Sequence, residues 1–247
     1  MHNAAFEALG LSDWRYVKLP VPAELFEETV RALPASGYAG ANVTIPHKLL
    51  ALAVADGASD DARGAGAANT LTFGAGGAIQ ADNTDVGGLL DALGQAPASA
   101  LVLGAGGAAR GAVWALREAG ADVSVWNRTR DRAAQLAGEL SVTAIDVVDP
   151  GRYGLVVNAT SIGLDASLSD ASALAALGLE GKEPPATVCD LVYRAGGAPT
   201  PLATWAASGH ARFVDGLEVL VRQGARSFQI WTGKQAPLDV MRQAARA

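Results

Sequence analysis

Two rhythms of apolar and polar positions run along the chain, and the change between them falls near Pro97. In the first stretch helix and strand are mixed. Asn3 to Leu9 reads as a helix ended by Gly10, and Trp14 to Leu19 predicts a strand. Pro22 opens a helix over about Ala23 to Leu33, because proline is tolerated in a first turn whose N–H groups have no partner anyway. Ala41 to Ile45 is β-like and stops at Pro46, and a short helix opens near His47 and Lys48 and runs to about Ala55. Ala68 to Phe73 and Ala78 to Ala81, joined by Gly74 to Gly77, predict a β-hairpin around a glycine turn.

Beyond Pro97, short apolar strands alternate with helices. Ala100 to Leu103 is a continuous apolar run, the pattern of a strand buried on both faces. A helix from about Ala108 to Glu118, a strand Asp122 to Trp126 and a helix from about Asp131 to Leu140 follow, then strands Gly154 to Val157 and Thr187 to Val192. Such alternation predicts a parallel sheet with right-handed crossovers. From Gly216 on, Leu217, Leu220, Val221, Phe228 and Trp231 return to helical spacing.

Composition narrows the classes. A chain of 247 residues that is 50% apolar can bury a real core, and its 18% of charged residues leaves little room for long disordered tails. No apolar run approaches the roughly 18 residues needed to span a bilayer, so no membrane association is expected. The start, Met1 to Phe6, carries no basic segment or cleavage pattern of a secretory signal. Cys189 stands alone, which excludes an internal disulfide framework and fits the cytoplasm. The formal charge of −6 speaks against a nucleic-acid surface but not against a small phosphorylated ligand.

Leu101 to Arg110 carries the most specific signal: a buried strand, a turn Gly104-Ala105-Gly106-Gly107, then a helix opening at Ala108-Ala109. Gly104 permits the tight turn and Gly106 lets a pyrophosphate approach the backbone, while Ala109 takes the third fingerprint position. The helix N-terminus adds free N–H groups and a partial positive charge. After the next strand, NAD binders place an acidic residue against the ribose 2′-OH. Here Asn127-Arg128-Thr129-Arg130-Asp131-Arg132 stands instead. Its arginines can clamp a 2′-phosphate with paired donors, so the expected cofactor is NADP.

Two residues of the first part suit proton chemistry. Lys48 sits at a strand-to-helix corner, and Asp85 follows the hairpin in Asp82-Asn83-Thr84-Asp85. A carboxylate beside an ammonium keeps both charged in a cleft, and desolvation can bring the lysine toward the range of general acid–base catalysis. Thr44, Asn69 and Gln223 are neutral groups of the kind that read hydroxyls. From residue types alone, a lysine at a helix start and an aspartate capping a helix are the favoured readings.

These pieces together resemble the shikimate dehydrogenase family over nearly the whole chain. Asn42-Val43-Thr44-Ile45-Pro46-His47-Lys48, Gly66-Ala67-Ala68-Asn69-Thr70, Asp82 to Gly87, Gly104 to Ala109 and Asn127-Arg128-Thr129 with Arg132 stand in family order. Val157 to Leu164, Asp190-Leu191-Val192-Tyr193, Thr200-Pro201-Leu202 and Gly216 to Gly233 complete the series. The resemblance implies NADPH-dependent reversible reduction of 3-dehydroshikimate to shikimate in the chorismate route to aromatic amino acids, with no metal. It implies Lys48 and Asp85 as the catalytic pair, the lysine exchanging a proton with the substrate C3 oxygen while hydride passes between nicotinamide and C3. Thr44, Asn69, Tyr193 and Gln223, with that pair, would hold the substrate. Gly104, Ala105, Gly106, Gly107, Ala108, Asn127, Arg128, Thr129, Arg132, Thr160, Leu191 and Gly216 would hold the cofactor.

The implied architecture is α/β: a substrate domain over 1–85, a Rossmann-type doubly wound parallel sheet over 86–215, and C-terminal helices over 216–247 returning to the first domain, as a homodimer or monomer. Family members begin with a glycine-containing strand and a Ser-x-Ser-Pro segment whose serines bind the substrate carboxylate. This chain starts at the Met-His-Asn that follows, so an internal start, an exposed sheet edge and weakened shikimate binding are expected. After Tyr193 the family's Asn-Pro gives way to Arg194 to Pro199, a longer loop. The competing readings are a quinate/shikimate dehydrogenase using NAD, which often carries an acidic residue where Arg128 stands, and a non-catalytic dinucleotide-binding paralogue.

Overall fold

The computed structural model describes residues 1–194 and 198–247. The longer loop expected at 194–199 therefore falls partly outside the described residues. The first stretch holds α1 (His2–Ala8), α2 (Phe26–Ala32, preceded by a 3₁₀ turn Ala23–Leu25), β1 (Gly40–Asn42), α3 (Lys48–Val54), β2 (Gly57–Ala58), α4 (Asp60–Ala65), β3 (Thr70–Phe73) and β4 (Ile79–Asp82). Its strands form one sheet in the order β1-β3-β4-β2. The hairpin expected from the glycine turn is β3–β4, with Phe73 opposite Ile79 and Thr70 opposite Asp82. Phe26, Val30, Ala51, Val54, Leu71 and Ile79 pack into its core.

Trp14 to Leu19 forms no strand. Its β-like side chains are not enough, because an extended backbone becomes a strand only when another backbone satisfies its N–H and C=O groups. Here a side chain does so: Asn3 donates Nδ2 to Tyr16 O (2.9 Å) and accepts Tyr16 N–H at Oδ1 (2.7 Å). The strand expected to reach Ile45 likewise ends at Asn42.

α5 (Thr84–Leu93) leads out of this sheet, and the second stretch follows as β5 (Ser99–Leu103), α6 (Gly107–Glu118), β6 (Asp122–Trp126), α7 (Arg130–Leu140), β7 (Thr143–Ala144) and β8 (Leu155–Asn158). After these come α8 (Asp170–Ala176), β9 (Thr187–Asp190), α9 (Pro201–Ser208), β10 (Arg212–Asp215), α10 (Gly216–Thr232) and α11 (Leu238–Arg246). The strands make one wholly parallel sheet, β10-β9-β8-β5-β6-β7. The order turns back on itself between β8 and β5, the switch point at whose C-terminal edge open α/β sheets bind ligands. One face packs Val102, Val113, Leu116, Val123 and Leu136 together, and the other packs Leu101, Leu103, Val156, Leu177 and Trp205. In α6, Ala109, Ala112, Val113 and Leu116 are buried at helical spacing against the sheet, each large side chain contributing about 1.5–3 kcal/mol.

α10 ties the two stretches together. Phe228 packs with Ala5 and Phe6 of α1 and Met241 of α11, and Trp231 Nε1 donates to Leu71 O of β3 at 3.0 Å. On its other side Arg226 holds Asp91 of α5 with two hydrogen bonds.

Two buried titratable groups oppose each other in their pH dependence. Burial lowers the pKa of His2 from 6.5 to about 4. Burial raises that of Asp190 from 3.8 to about 6, against three hydrogen bonds that favour its charged form. Unfolded chains bind the extra proton at His2 below 6.5, so its contribution to stability grows with pH across that window. Folded protein binds the extra proton at Asp190, so its contribution is present below 3.8 and lost as pH rises through about 6. The two offset each other between about pH 4.5 and 6. Urea midpoints across that window are expected to change little in the parent protein. They should rise with pH in Asp190→Asn and fall with pH in His2→Asn, each by the equivalent of about 2 kcal/mol. Parallel slopes in both variants would contradict this assignment.

Candidate active site

Lys48 is the first residue of α3, entered from a His47 whose ring is fixed on both sides. His47 Nε2 lies 2.9 Å from Val21 O, which can only accept, and the ring stacks on Phe26 at 4.7 Å. Asp85 is the second residue of α5, where the helix dipole favours a carboxylate. The two meet at 2.5 Å between Lys48 Nζ and Asp85 Oδ2, with side chains only 12% and 21% exposed. Removing either partner would strand a charge in a poorly solvated cleft, a loss much larger than that of a surface pair.

Asn69 continues the network. Its Nδ2 donates to Asp85 Oδ1 (2.8 Å) and to Gln223 Oε1 of α10 (3.1 Å). Its Oδ1 accepts the Thr84 N–H (2.8 Å) and the hydroxyls of Thr70 (3.0 Å) and Thr84 (3.1 Å). The backbone N–H at 84 can only donate and the carboxylate at 85 can only accept, so the amide has one permitted orientation. Residue type gives Thr70 and Thr84 no site role in the sequence, although each directly adjoins a candidate residue. Thr84 meets Asn69 only because the β3–β4 hairpin brings it back, while Thr70 bonds to Asn69 as its chain neighbour.

Of the residues expected to hold substrate, Lys48, Asp85, Asn69 and Gln223 come together in this cluster. Thr44 does not join it through hydrogen bonds: it is exposed, and its backbone carbonyl accepts His47 N–H. Tyr193 is 41% exposed and lines a different cavity of about 220 Å³ with Thr200, Phe213, Asp215 and Leu217.

The glycine turn lies directly against the lysine. A Cβ on Gly107 would fall 2.9 Å from Lys48 Cβ and 3.2 Å from its Cδ, so this position is glycine because the stem of Lys48 crosses it. Gly104 takes φ +119°, and a Cβ there would meet Ala159 O at 2.9 Å. Gly106, by contrast, faces open space, and α6 begins beside it with no side chain capping its N-terminus. Uncapped N–H groups over an open glycine turn fit a pyrophosphate. At the end of β6, Arg128, Thr129 and Arg132 are exposed, and Asn127 is braced by donating Nδ2 to Thr129 O (2.9 Å). Arg130 differs from the expectation of three clamping arginines: its guanidinium is paired with Asp146 beyond β7. Thr160, Leu191 and Gly216 stand at the same edge of the sheet, Thr160 against Gly104 and Leu191 against Gly216.

Known proteins match this arrangement along its length. Three family profiles fit in turn: "Shikimate dehydrogenase substrate binding domain" over residues 1–71, "Shikimate / quinate 5-dehydrogenase" over 91–167, and "Shikimate 5'-dehydrogenase C-terminal domain" over 216–246. The shikimate dehydrogenase (NADP(+)) of Methanocella arvoryzae is 39% identical over 259 residues, covering 100% of this chain and 92% of that protein. That of Caulobacter vibrioides is 46% identical over 251 residues, covering 96% and 85%. The crystal structure of shikimate 5-dehydrogenase from Thermus thermophilus, in complex with NADP(H) and shikimate, superposes with a TM-score of 0.82 at 36% identity and covers 99% of this chain and 92% of that one. With sequence motifs, fold and residue order all in agreement over full length, the chain belongs to the shikimate dehydrogenase family.

Proposed function

We propose that Lys48 and Asp85 are the catalytic pair of an NADP-dependent shikimate dehydrogenase, which reversibly reduces 3-dehydroshikimate to shikimate in aromatic amino acid biosynthesis. The observation that carries this reading is the placement of one lysine against both a carboxylate and the nucleotide turn. Its Nζ lies 2.5 Å from Asp85, and its stem lies on Gly107.

Bound NADP(H) supplies or accepts the hydride; the protein supplies position and protons. Lys48 donates a proton to the oxygen formed when a carbonyl is reduced and takes it back in the reverse direction. Asp85 holds the amine in place and accepts from a neighbouring substrate hydroxyl. Asn69 fixes Asp85, and Gln223, whose Nε2 is committed to Leu220 O at 2.8 Å, presents its carbonyl oxygen to donors. Thr44 and Tyr193, both exposed and outside this cluster, are assigned to the substrate by the family resemblance alone. Gly104 to Ala108 receive the pyrophosphate. Asn127, Arg128, Thr129 and Arg132 receive the 2′-phosphate, and Thr160, Leu191 and Gly216 line the nicotinamide end.

The chain divides by role into a substrate part at 1–85, a dinucleotide part at 86–215, and helices at 216–247 that return to the first part, as α10 does through Trp231 and Leu71. It acts as a monomer or homodimer in the cytoplasm, a placement supported by its single cysteine. No helix among the described residues is long and apolar enough to cross a membrane.

Nicotinamide absorbance with shikimate and NADP, set beside quinate and NAD, tests the activity. Turnover is expected in the first mixture, and turnover confined to the second would overturn the substrate and cofactor assignment. Lys48→Ala is expected to lower kcat by about 10³-fold while the NADPH dissociation constant stays within about twofold; a near-normal rate would remove the lysine from the mechanism. Arg128→Asp should raise the KM for NADP by about 10- to 100-fold, the value of one or two charge-assisted hydrogen bonds, and leave kcat with saturating cofactor almost unchanged. An unaltered KM would place the 2′-phosphate elsewhere.

A further inference from the structure

Asp190 ends β9 with its side chain fully buried and, among the described residues, no lysine or arginine paired with it. Its Oδ1 accepts Asn158 Nδ2 (2.8 Å) and the Val192 N–H (3.1 Å), and its Oδ2 accepts the Thr200 hydroxyl (2.6 Å). Thr200 Oγ1 itself accepts the Ala203 N–H as the N-cap of α9 (3.3 Å), which leaves its proton for the carboxylate. Three converging donors call for a group that only accepts, and that group is the ionised carboxylate. The other nearby acid, Asp215, is exposed on β10 beside it and caps α10 through Leu217 N–H.

Burying a carboxylate without a counter-charge costs stability that an apolar side chain of similar size would not. What it holds explains where it sits. Asn158 passes the connection onward: its Oδ1 accepts Thr160 N–H (3.1 Å) and Thr160 Oγ1–H (2.7 Å), and its Nδ2 also reaches Ile162 O (3.0 Å). Thr160 Cγ2 lies against Gly104 of the nucleotide turn. On the other side a Cβ on Gly216 would fall 2.5 Å from Asp190 O and 2.8 Å from the Leu191 carbonyl. The loops that follow β8 and β9 are thus fastened to one buried anion, and the start of α10 packs against the backbone of the second.

We propose that Asp190 is a positioning residue that locks these two loops and, through its fixed negative charge, makes the site prefer oxidised over reduced cofactor. This rests on the dinucleotide reading above. The nicotinamide ring is cationic when oxidised and neutral when reduced, whereas the phosphates are the same in both forms. A fixed anion at that end of the site therefore separates the two affinities, while loss of loop order alone would weaken both together.

Dissociation constants of the full chain for NADP⁺ and NADPH, measured by titration at neutral pH without substrate, test it. Asp190→Asn keeps the shape and removes the charge. Its NADP⁺ affinity is expected to fall about tenfold relative to its NADPH affinity. Equal weakening of both forms, or no change in either, overturns the proposal. Should that variant not fold, Thr200→Val serves in its place. With one donor gone the carboxylate takes up a proton more readily, so at slightly acid pH the same asymmetric loss of NADP⁺ affinity is expected, and a symmetric one overturns the proposal. Parent protein that binds neither form would sink the dinucleotide reading and this inference with it.

Discussion

An ammonium and a carboxylate held in a narrow cleft are tolerable only together, and the structure is arranged around keeping Lys48 and Asp85 in contact. Neither residue is near the other in the chain. Lys48 starts α3 and Asp85 lies in the first turn of α5, and their meeting depends on the β3–β4 hairpin turning the backbone so that both helices open toward one point. Asn69 takes up the second carboxylate oxygen, and the Thr84 backbone N–H prevents its amide from turning over. The pair is thereby fixed by neutral hydrogen bonds, which hold geometry without adding another charge to be desolvated.

The second sheet contributes position of a different kind. A parallel sheet leaves its helix N-termini and strand C-termini at one edge, so backbone N–H groups gather where a phosphate can use them. At Gly107 that edge touches Lys48 directly. The glycine there is needed for the approach of a side chain from the other half, a requirement the dinucleotide fingerprint does not contain. That contact brings the lysine and the glycine turn to the same place.

Legibility followed the range of the interaction. The strands and helices of the second sheet can be read closely because strand, turn and helix signals are local: β6 is expected at Asp122 to Trp126 and is found there. The short elements β2, β7, α8 and β10 carry little periodicity and exist because neighbours complete them. Trp14 to Leu19 shows the converse, since strand-forming side chains make no strand where no backbone pairs with them. Arg130 shows it for the site. Its place among the arginines suggests a phosphate ligand, yet Asp146, sixteen residues on, claims it.

The amino-acid sequence alone determined the chemical groups: a glycine turn before a helix, arginines where an NAD binder has an acid, and a lysine and an aspartate in family motifs. These are fixed by residue type and by neighbours a few positions away. Only the tertiary structure decided which groups act together. It joined Lys48 to Asp85, gave Asn69 one orientation, paired Arg130 with Asp146, and buried Asp190 among three donors beneath two loops. Each of those outcomes depends on atoms far apart in the chain coming within hydrogen-bonding distance, and residue order does not encode that distance until the sheets and helices have packed.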